Sequence, residues 1–206
     1  GRVLCLLARG ALYERRSAAK DDGAKDDEAA KDDEAAKDEA AERAAGLYRT
    51  ILDVDPGNAY AFAALEALLR NQENHQELAK LLQRAADEAS DADTRRQLLF
   101  KLGALHAGPL GAPDQALEVL SELLKLDPTD LVVIRELRRV AEVAGDTSRH
   151  LDALEAEVAA LEGEGRSRAR LRLAALLEDH LDEAERAEEI LNELAAEPKG
   201  SLGRAE

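Results

Sequence analysis

The sequence contains no Trp, no Met, one Cys and five Pro among its 206 residues, and its only aromatic residues are three Tyr and two Phe. Strand-favouring residues are scarce and never alternate over a useful length, whereas Ala, Leu, Glu, Arg, Asp and Lys make up most of the chain. Because these residues favour helices, the composition predicts an all-α protein. The single cysteine, Cys5, excludes an internal disulfide, and its leucine-rich surroundings predict a small buried core residue.

Positive charge is also in short supply, since 28 Lys and Arg stand against 44 Asp and Glu, for a net charge of −16. Such a surface repels phosphates, so we expect no nucleic-acid partner. The longest early apolar run, residues 3–7, is too short to cross a bilayer and has no signal-peptide pattern, so we expect no membrane insertion and a cytoplasmic location. The composition favours a GC-rich bacterial source, and neither end resembles a natural terminus, so we expect a fragment of a longer protein.

Motifs that carry chemistry are absent as well. The sequence has no Gly-rich phosphate loop, no nucleophile elbow and no zinc-protease motif. None of the four histidines lies at metal-ligand spacing from Cys or another His; they are His75, His106, His150 and His180. We expect His106 to fill a packing position and the other three to lie on the surface or in turns. The sequence therefore predicts a protein that is not an enzyme, with no catalytic residue, metal or cofactor.

What the sequence does contain is an internal repeat. Asp55-Pro56 and Asp127-Pro128 lie 72 residues apart, Glu197-Pro198 follows 70 residues later, and each pair closes an apolar helical run. Proline cannot continue a helix and disfavours helical backbone in the residue before it, so each pair marks a boundary. Polar breaks near residues 92 and 164 divide the blocks between these boundaries into helical hairpins. A repeat of this length predicts a solenoid, in which each hairpin buries its apolar face against its neighbours.

The spacing within each block resembles the tetratricopeptide repeat (TPR) family, a helix–turn–helix of 34 residues. Ala44 and Ala116 stand four, seven and twelve residues before a bulky residue, a second bulky residue and a proline. Gly10 and Gly103 occupy positions where two helices approach closely. The resemblance covers nearly the whole chain and implies one α-solenoid array of about five antiparallel hairpins, at approximately 1–56, 57–91, 94–128, 129–163 and 166–198, with 199–206 as a tail or the start of a further helix.

A low-complexity run interrupts the first hairpin. Gly10 and Ala44 are 34 residues apart, whereas Gly103 and Ala116 are 13 apart, which places an insertion at residues 18–39. Its acids precede lysines at i,i+4, so we expect a long exposed charged helix that extends the second helix back to about residue 24. A solvated spacer is the simplest interpretation, and a cation site is disfavoured because ligands that turn round a helix do not converge. The functional alternative is an acidic arm that binds a basic partner through Asp26, Asp27, Glu28, Asp32, Asp33 and Glu34.

In TPR proteins the first helices of successive hairpins line a concave groove that takes peptides or another protein's helix. The resemblance implies groove positions for Tyr60, Ala63, Ala67, Arg70, Asn71, Val132, Arg135, Arg139 and Arg168. Charged Glu66 and Arg138 stand where the family has small residues. Two interpretations of the late arginines are open: they are solubilising charges with acid partners one turn away, or they form a groove that clamps carboxylates by bidentate hydrogen bonds.

These observations predict a non-catalytic scaffold that binds a peptide, or a partner subunit of a larger complex, through the groove of a TPR-like solenoid. One alternative is an acidic chaperone-like protein that binds basic proteins with the inserted arm. The other alternative is a structural subunit that associates with its own copies.

Overall fold

The computed structural model describes residues 2–17, 27–180 and 183–196, and the side chains of 3–15, 35–180 and 183–196. Within these ranges the chain forms ten α-helices and no strand, so the all-α prediction is confirmed. The helices are α1 Arg2–Ser17, α2 Asp27–Val54, α3 Ala59–Asn71, α4 His75–Glu88, α5 Ala92–Ala107, α6 Pro113–Leu126, α7 Leu131–Ala144, α8 Thr147–Ala160, α9 Gly163–His180 and α10 Ala184–Ala196.

The helices fall into two compact units, Gly1–Arg95 and Arg96–Glu206, and the division lies within α5. In the first unit α2 packs against α1 and α3, and α3 packs against α4. In the second unit α7 packs against α6 and α8, and α9 packs against α8 and α10. Helices that follow one another in sequence are therefore neighbours in space within each unit. The five hairpin limits and the single array over residues 1–206 stay predictions.

Local sequence sets where these helices begin and end. Asn58 and Asn74 cap α3 and α4, accepting hydrogen bonds from the backbone N–H groups of Ala61 at 3.0 Å and Glu77 at 3.3 Å. Asp130 and Asp146 cap α7 and α8 in the same way. A capping side chain satisfies a backbone donor that has no partner inside the helix. The two Asp-Pro pairs follow directly after the last residues of α2 and α6.

A glycine–tyrosine contact joins α1 to α2. Tyr48 is fully buried, and its hydroxyl donates a hydrogen bond to Glu14 Oε2 at 3.0 Å. A Cβ atom on Gly10 would lie 2.7 Å from the Tyr48 ring, so only glycine fits there without displacing the ring. Burial, together with the hydrogen bond to Glu14, raises the pKa of Tyr48 far above its ordinary value. This contact fixes the first helix of the chain beside the helix that ends at the first Asp-Pro pair.

The predicted burial of Cys5 is wrong. Cys5 is exposed, and so are Leu4 and Leu12 on the same helix. Helix α1 turns its Gly10 side toward α2, which leaves the side that carries Leu4 and Leu12 to solvent. Leucine neighbours in sequence therefore do not mean burial when a helix packs along one side only.

In the second unit one hydrophobic cluster lies between α8, α9 and α10. Leu154 of α8 packs with Leu173, Ala174, Leu176 and Leu177 of α9 and with Ala187 of α10. On α5, a Cβ on Gly103 would meet the Leu120 side chain at 3.3 Å, so α6 lies close to this glycine. Small residues thus permit close helix contact in both units.

The inserted stretch is only partly described. Helix α2 has 28 residues and begins at Asp27, within the predicted insertion. Asp26 lies outside the described residues, and the side chains of residues 27–34 are not described. The acidic arm formed by Asp27, Glu28, Asp32, Asp33 and Glu34, and the exposure of the extension, therefore stay predictions.

Candidate binding site

The hairpins α3–α4 and α7–α8 have equivalent helix starts and turns, which we call the shared frame, and this frame positions the candidate site. The first residues of α3 and α7 are Ala59 and Leu131, and those of α4 and α8 are His75 and Thr147, 72 residues apart in each case. The turns agree as well, because Glu73 and Gly145 both have left-handed backbone, with φ of 53° and 73°. Residues 72 positions apart in these hairpins can therefore be compared directly.

All the groove positions that the family resemblance implied on first helices are exposed: Tyr60, Ala63, Ala67, Arg70, Asn71, Val132, Arg135, Arg139 and Arg168. Tyr60 and Val132 are 72 residues apart, and their exposed fractions are 53% and 63%. The Tyr60 ring meets the Tyr48 ring edge to face, with centroids 6.2 Å apart. The frame thus presents an exposed large apolar residue at the same place in both first helices.

Three of the candidate arginines pair with an acid on their own helix. Arg139 donates two hydrogen bonds to Glu136, at 2.9 and 2.6 Å, and these bonds hold the pKa of Glu136 below its usual value. Arg70 donates to Glu66 at 2.8 Å, and Arg168 donates to Glu164. These pairs have the one-turn spacing expected of solubilising charge.

Arg135 has a different environment, because it belongs to a cluster around a buried carboxylate. Glu157 of α8 is 2% exposed. Arg172 Nη1 of α9 lies 3.4 Å from both Glu157 oxygens, Arg135 Nε of α7 lies 3.6 Å from Oε1, and Arg138 Nε of α7 lies 3.4 Å from Oε2. We call these four residues the Glu157 cluster. It joins three helices of the second unit at one carboxylate.

The Glu157 cluster leaves much of its hydrogen-bonding capacity unused. All its distances are longer than the roughly 2.7–2.9 Å of strong charge-assisted hydrogen bonds. Arg138 Nε is buried and, although it is near Glu157, its N–H makes no hydrogen bond there. Arg138 is also 3.6 Å from Glu142. Three guanidinium groups therefore share two carboxylates, a local surplus of positive charge in a chain whose net charge is −16.

Sequence reasoning named Arg135 but missed Glu157 and Arg172 as its partners. The structure brings Arg135 together with Arg172, whereas Tyr60, Arg70 and Asn71 belong to the first unit. One signal was present: Arg138 occupies a position where the TPR family has a small residue. An arginine that is partly buried needs a partner, so this departure pointed to an acid on a neighbouring helix.

The histidines and acids give no metal site in the described part of the chain, where no group of three His, Cys, Asp or Glu side chains is placed to hold an ion. His106 is half-buried, and burial lowers its pKa. His150, expected on the surface or in a turn, is likewise half-buried near the start of α8, with its pKa lowered first by burial. No helix among the described residues is both long enough and apolar enough to cross a membrane.

Comparison with known proteins rests on structure. No family model and no curated protein matches the chain. The structure of MamA AMB-1 aligns with a TM-score of 0.50 at 14% identity, over 97% of this chain and 93% of that one. A MamA mutant aligns with a TM-score of 0.50 at 15% identity, over 91% of both chains. YrrB, described as a TPR protein with an unusual peptide-binding site, aligns at 0.47 and 19% identity, over 79% and 80%.

MamA and YrrB are both TPR proteins. The MamA matches span nearly the whole chain, so the chain has a TPR-like helical-repeat fold, and this prediction is confirmed. At 14–15% identity these matches establish the fold and nothing about the ligand.

Proposed function

We propose that the chain is a non-catalytic protein-interaction scaffold that binds a peptide or partner subunit through the exposed faces of its first helices. The observation that carries the proposal is the recurrence of an exposed apolar residue, Tyr60 on α3 and Val132 on α7, at equivalent positions of two hairpins. Arg135 follows Val132 by one helical turn. Tyrosine and arginine are both enriched at the centres of protein interfaces.

A peptide library selected against the whole chain tests this proposal. Peptides recovered from a phage-displayed library are expected to bind Tyr60→Ser and Val132→Ser variants on the order of tenfold more weakly. The matched controls are Val54→Ser and Leu126→Ser. Val54 and Leu126 are also exposed and also 72 residues apart, but they lie at the ends of second helices. Equal losses in both pairs, or no peptide recovered, would contradict binding at the first helices.

A further inference from the structure

The Glu157 cluster differs from the other arginine pairs in how its charges are matched. Arg139 and Arg70 each have their own carboxylate, at 2.6 to 2.9 Å. In the Glu157 cluster only Arg172 donates hydrogen bonds to the shared carboxylate, and both are long, at 3.4 Å. The guanidinium groups of Arg135 and Arg172 therefore keep donors for a further acceptor. Their side chains are 58% and 49% exposed, so that acceptor can come from outside.

We propose that Arg135 and Arg172 together bind a carboxylate of an acidic, leucine-containing peptide segment of a partner protein, and that Glu157 is the positioning residue for both arginines. This inference rests on the proposed function and names the ligand class of the second unit. Its new elements are the pairing of α7 with α9 and the role of a buried carboxylate on α8.

A peptide carboxylate fits the cluster better than other anions do. The planar guanidinium group matches a carboxylate with two parallel hydrogen bonds, and two guanidinium groups side by side offer more donors than Glu157 uses. Exposed Val132 lies one turn before Arg135, and exposed Leu171 adjoins Arg172, so apolar contacts flank the charge. The net charge of −16 repels extended polyanions, whereas a short segment brings few charges.

Glu157 explains why the two arginines stay together. Two guanidinium groups on different helices repel each other unless a counter-charge lies between them. Glu157 supplies that charge from a buried position, so its oxygens hold the inner sides of Arg135 and Arg172. The outward-facing N–H groups of Arg135 and Arg172 stay available for a ligand. Because Glu157 already orders both side chains, less entropy is lost on binding.

The binding test uses a fluorescein-labelled peptide of alternating leucine and glutamate, and a copy with glutamine in place of glutamate. Fluorescence anisotropy on the whole chain is expected to show about tenfold tighter binding of the glutamate peptide. The double variant R135Q/R172Q is expected to reduce this preference to about twofold or less. The control R84Q/R186Q removes the same charge from two partly exposed arginines of α4 and α10, and should leave the preference intact. Equal losses in both double variants, or no glutamate preference in the unchanged chain, would overturn the proposal.

Glu157→Gln separates positioning from net charge. Removing a negative charge strengthens anion binding if only the net charge matters, whereas loss of positioning weakens it. We expect the glutamate peptide to bind more weakly to E157Q, and tighter binding would overturn the positioning role. If E157Q loses its helical circular dichroism, R135K/R172K decides the same point, because lysine keeps the charge and lacks the planar fork. Loss of the glutamate preference then supports placed guanidinium groups, and an unchanged preference contradicts them.

The two proposals fail separately. If library-selected peptides depend on Tyr60 and Val132 while the glutamate preference is absent, the carboxylate site is wrong and the scaffold remains. If the glutamate preference depends on Arg135 and Arg172 but no library peptide depends on Tyr60 or Val132, the carboxylate site stands without the recurrent apolar positions.

Discussion

The hairpins α3–α4 and α7–α8 have equivalent helix starts and capped N-termini, but their surfaces carry different chemistry. Leu65 and Leu137 are equivalent and equally buried. Among the equivalent pairs at which the second hairpin has gained charge or changed its sign are the ones that supply the Glu157 cluster: Ala63 and Arg135, Glu66 and Arg138, and Ala85 and Glu157. The buried leucines thus keep the repeat, while the charged substitutions give the Glu157 cluster to the second hairpin and not to the first.

The largest effect is expected where the two hairpins agree. Leu65→Ala and Leu137→Ala each remove a side chain that is 2% exposed, so each should lower the free energy of unfolding by about 2–5 kcal/mol. Urea unfolding followed by circular dichroism measures both. Leu126→Ala, on an exposed side chain, is the control and should cost less than about 0.5 kcal/mol. A large loss of unfolding free energy at only one of the two buried leucines would contradict the equivalence of the two hairpins.

A smaller effect is expected where the hairpins differ most. Glu157→Ala deprives three arginines of their shared carboxylate and should lower the free energy of unfolding by about 2 kcal/mol. The reciprocal change, Ala85→Glu, places a carboxylate beside α3, where the positions equivalent to Arg135 and Arg138 are Ala63 and Glu66. It should destabilise by about 1 kcal/mol. If A85E stabilised the chain, a buried acid at this position would not need arginines on the neighbouring helix.

The left-handed turn residues predict changes of opposite sign. Glu73 adopts φ of 53°, which costs a residue with a Cβ about 1 kcal/mol, so Glu73→Gly should stabilise the chain by about that amount. Gly145→Ala should destabilise by about 1 kcal/mol, because a Cβ there meets no atom and only the backbone conformation is unfavourable. Thermal unfolding of both variants measures the difference. Shifts of the same sign would contradict equivalent turns.

The smallest effect concerns pH. His150 occupies the position of buried Leu78 in the other hairpin, and its pKa is lowered by burial and by the charges of Arg138 and His180, against the opposing charge of Glu142. The unfolded chain therefore binds a proton more readily, so this group contributes less stability as pH falls below about 6.5. His150→Leu should reduce the loss of unfolding free energy between pH 8 and pH 5.5. An unchanged pH dependence in H150L would show that His150 does not contribute to the loss of stability at low pH.

Much of the fold was readable from spacing, and the reason is local. The Asp-Pro pairs after Val54 and Leu126 and the turn at Gly145 act on the backbone next to them, so their positions indicate helix ends directly. Gly10 was also informative, since only a small residue fits against Tyr48. The Asp-Pro and turn signals depend on local backbone geometry, whereas Gly10 marks a close approach of two helices that recurs at Gly103.

The candidate site was harder to predict from the sequence, because its residues are brought together only by packing between helices. Arg135, Glu157 and Arg172 lie on three helices, and no spacing within one helix links them. The arginines that lie one helical turn from an acid in sequence, such as Arg139 and Glu136, form ion pairs within their own helix. The prediction that Cys5 is buried was wrong for a related reason, since burial depends on which side of α1 faces α2.

Side-chain NMR of the arginines can distinguish a placed pair of guanidinium groups from scattered surface charge. The Nε–H resonances are followed while the glutamate–leucine peptide is added to the whole chain. We expect the resonances of Arg135 and Arg172 to shift together with one binding constant, while those of Arg70 and Arg139 stay in place. Shifts of equal size at Arg70 and Arg139, or no shift at Arg172, would contradict a carboxylate site organised by Glu157.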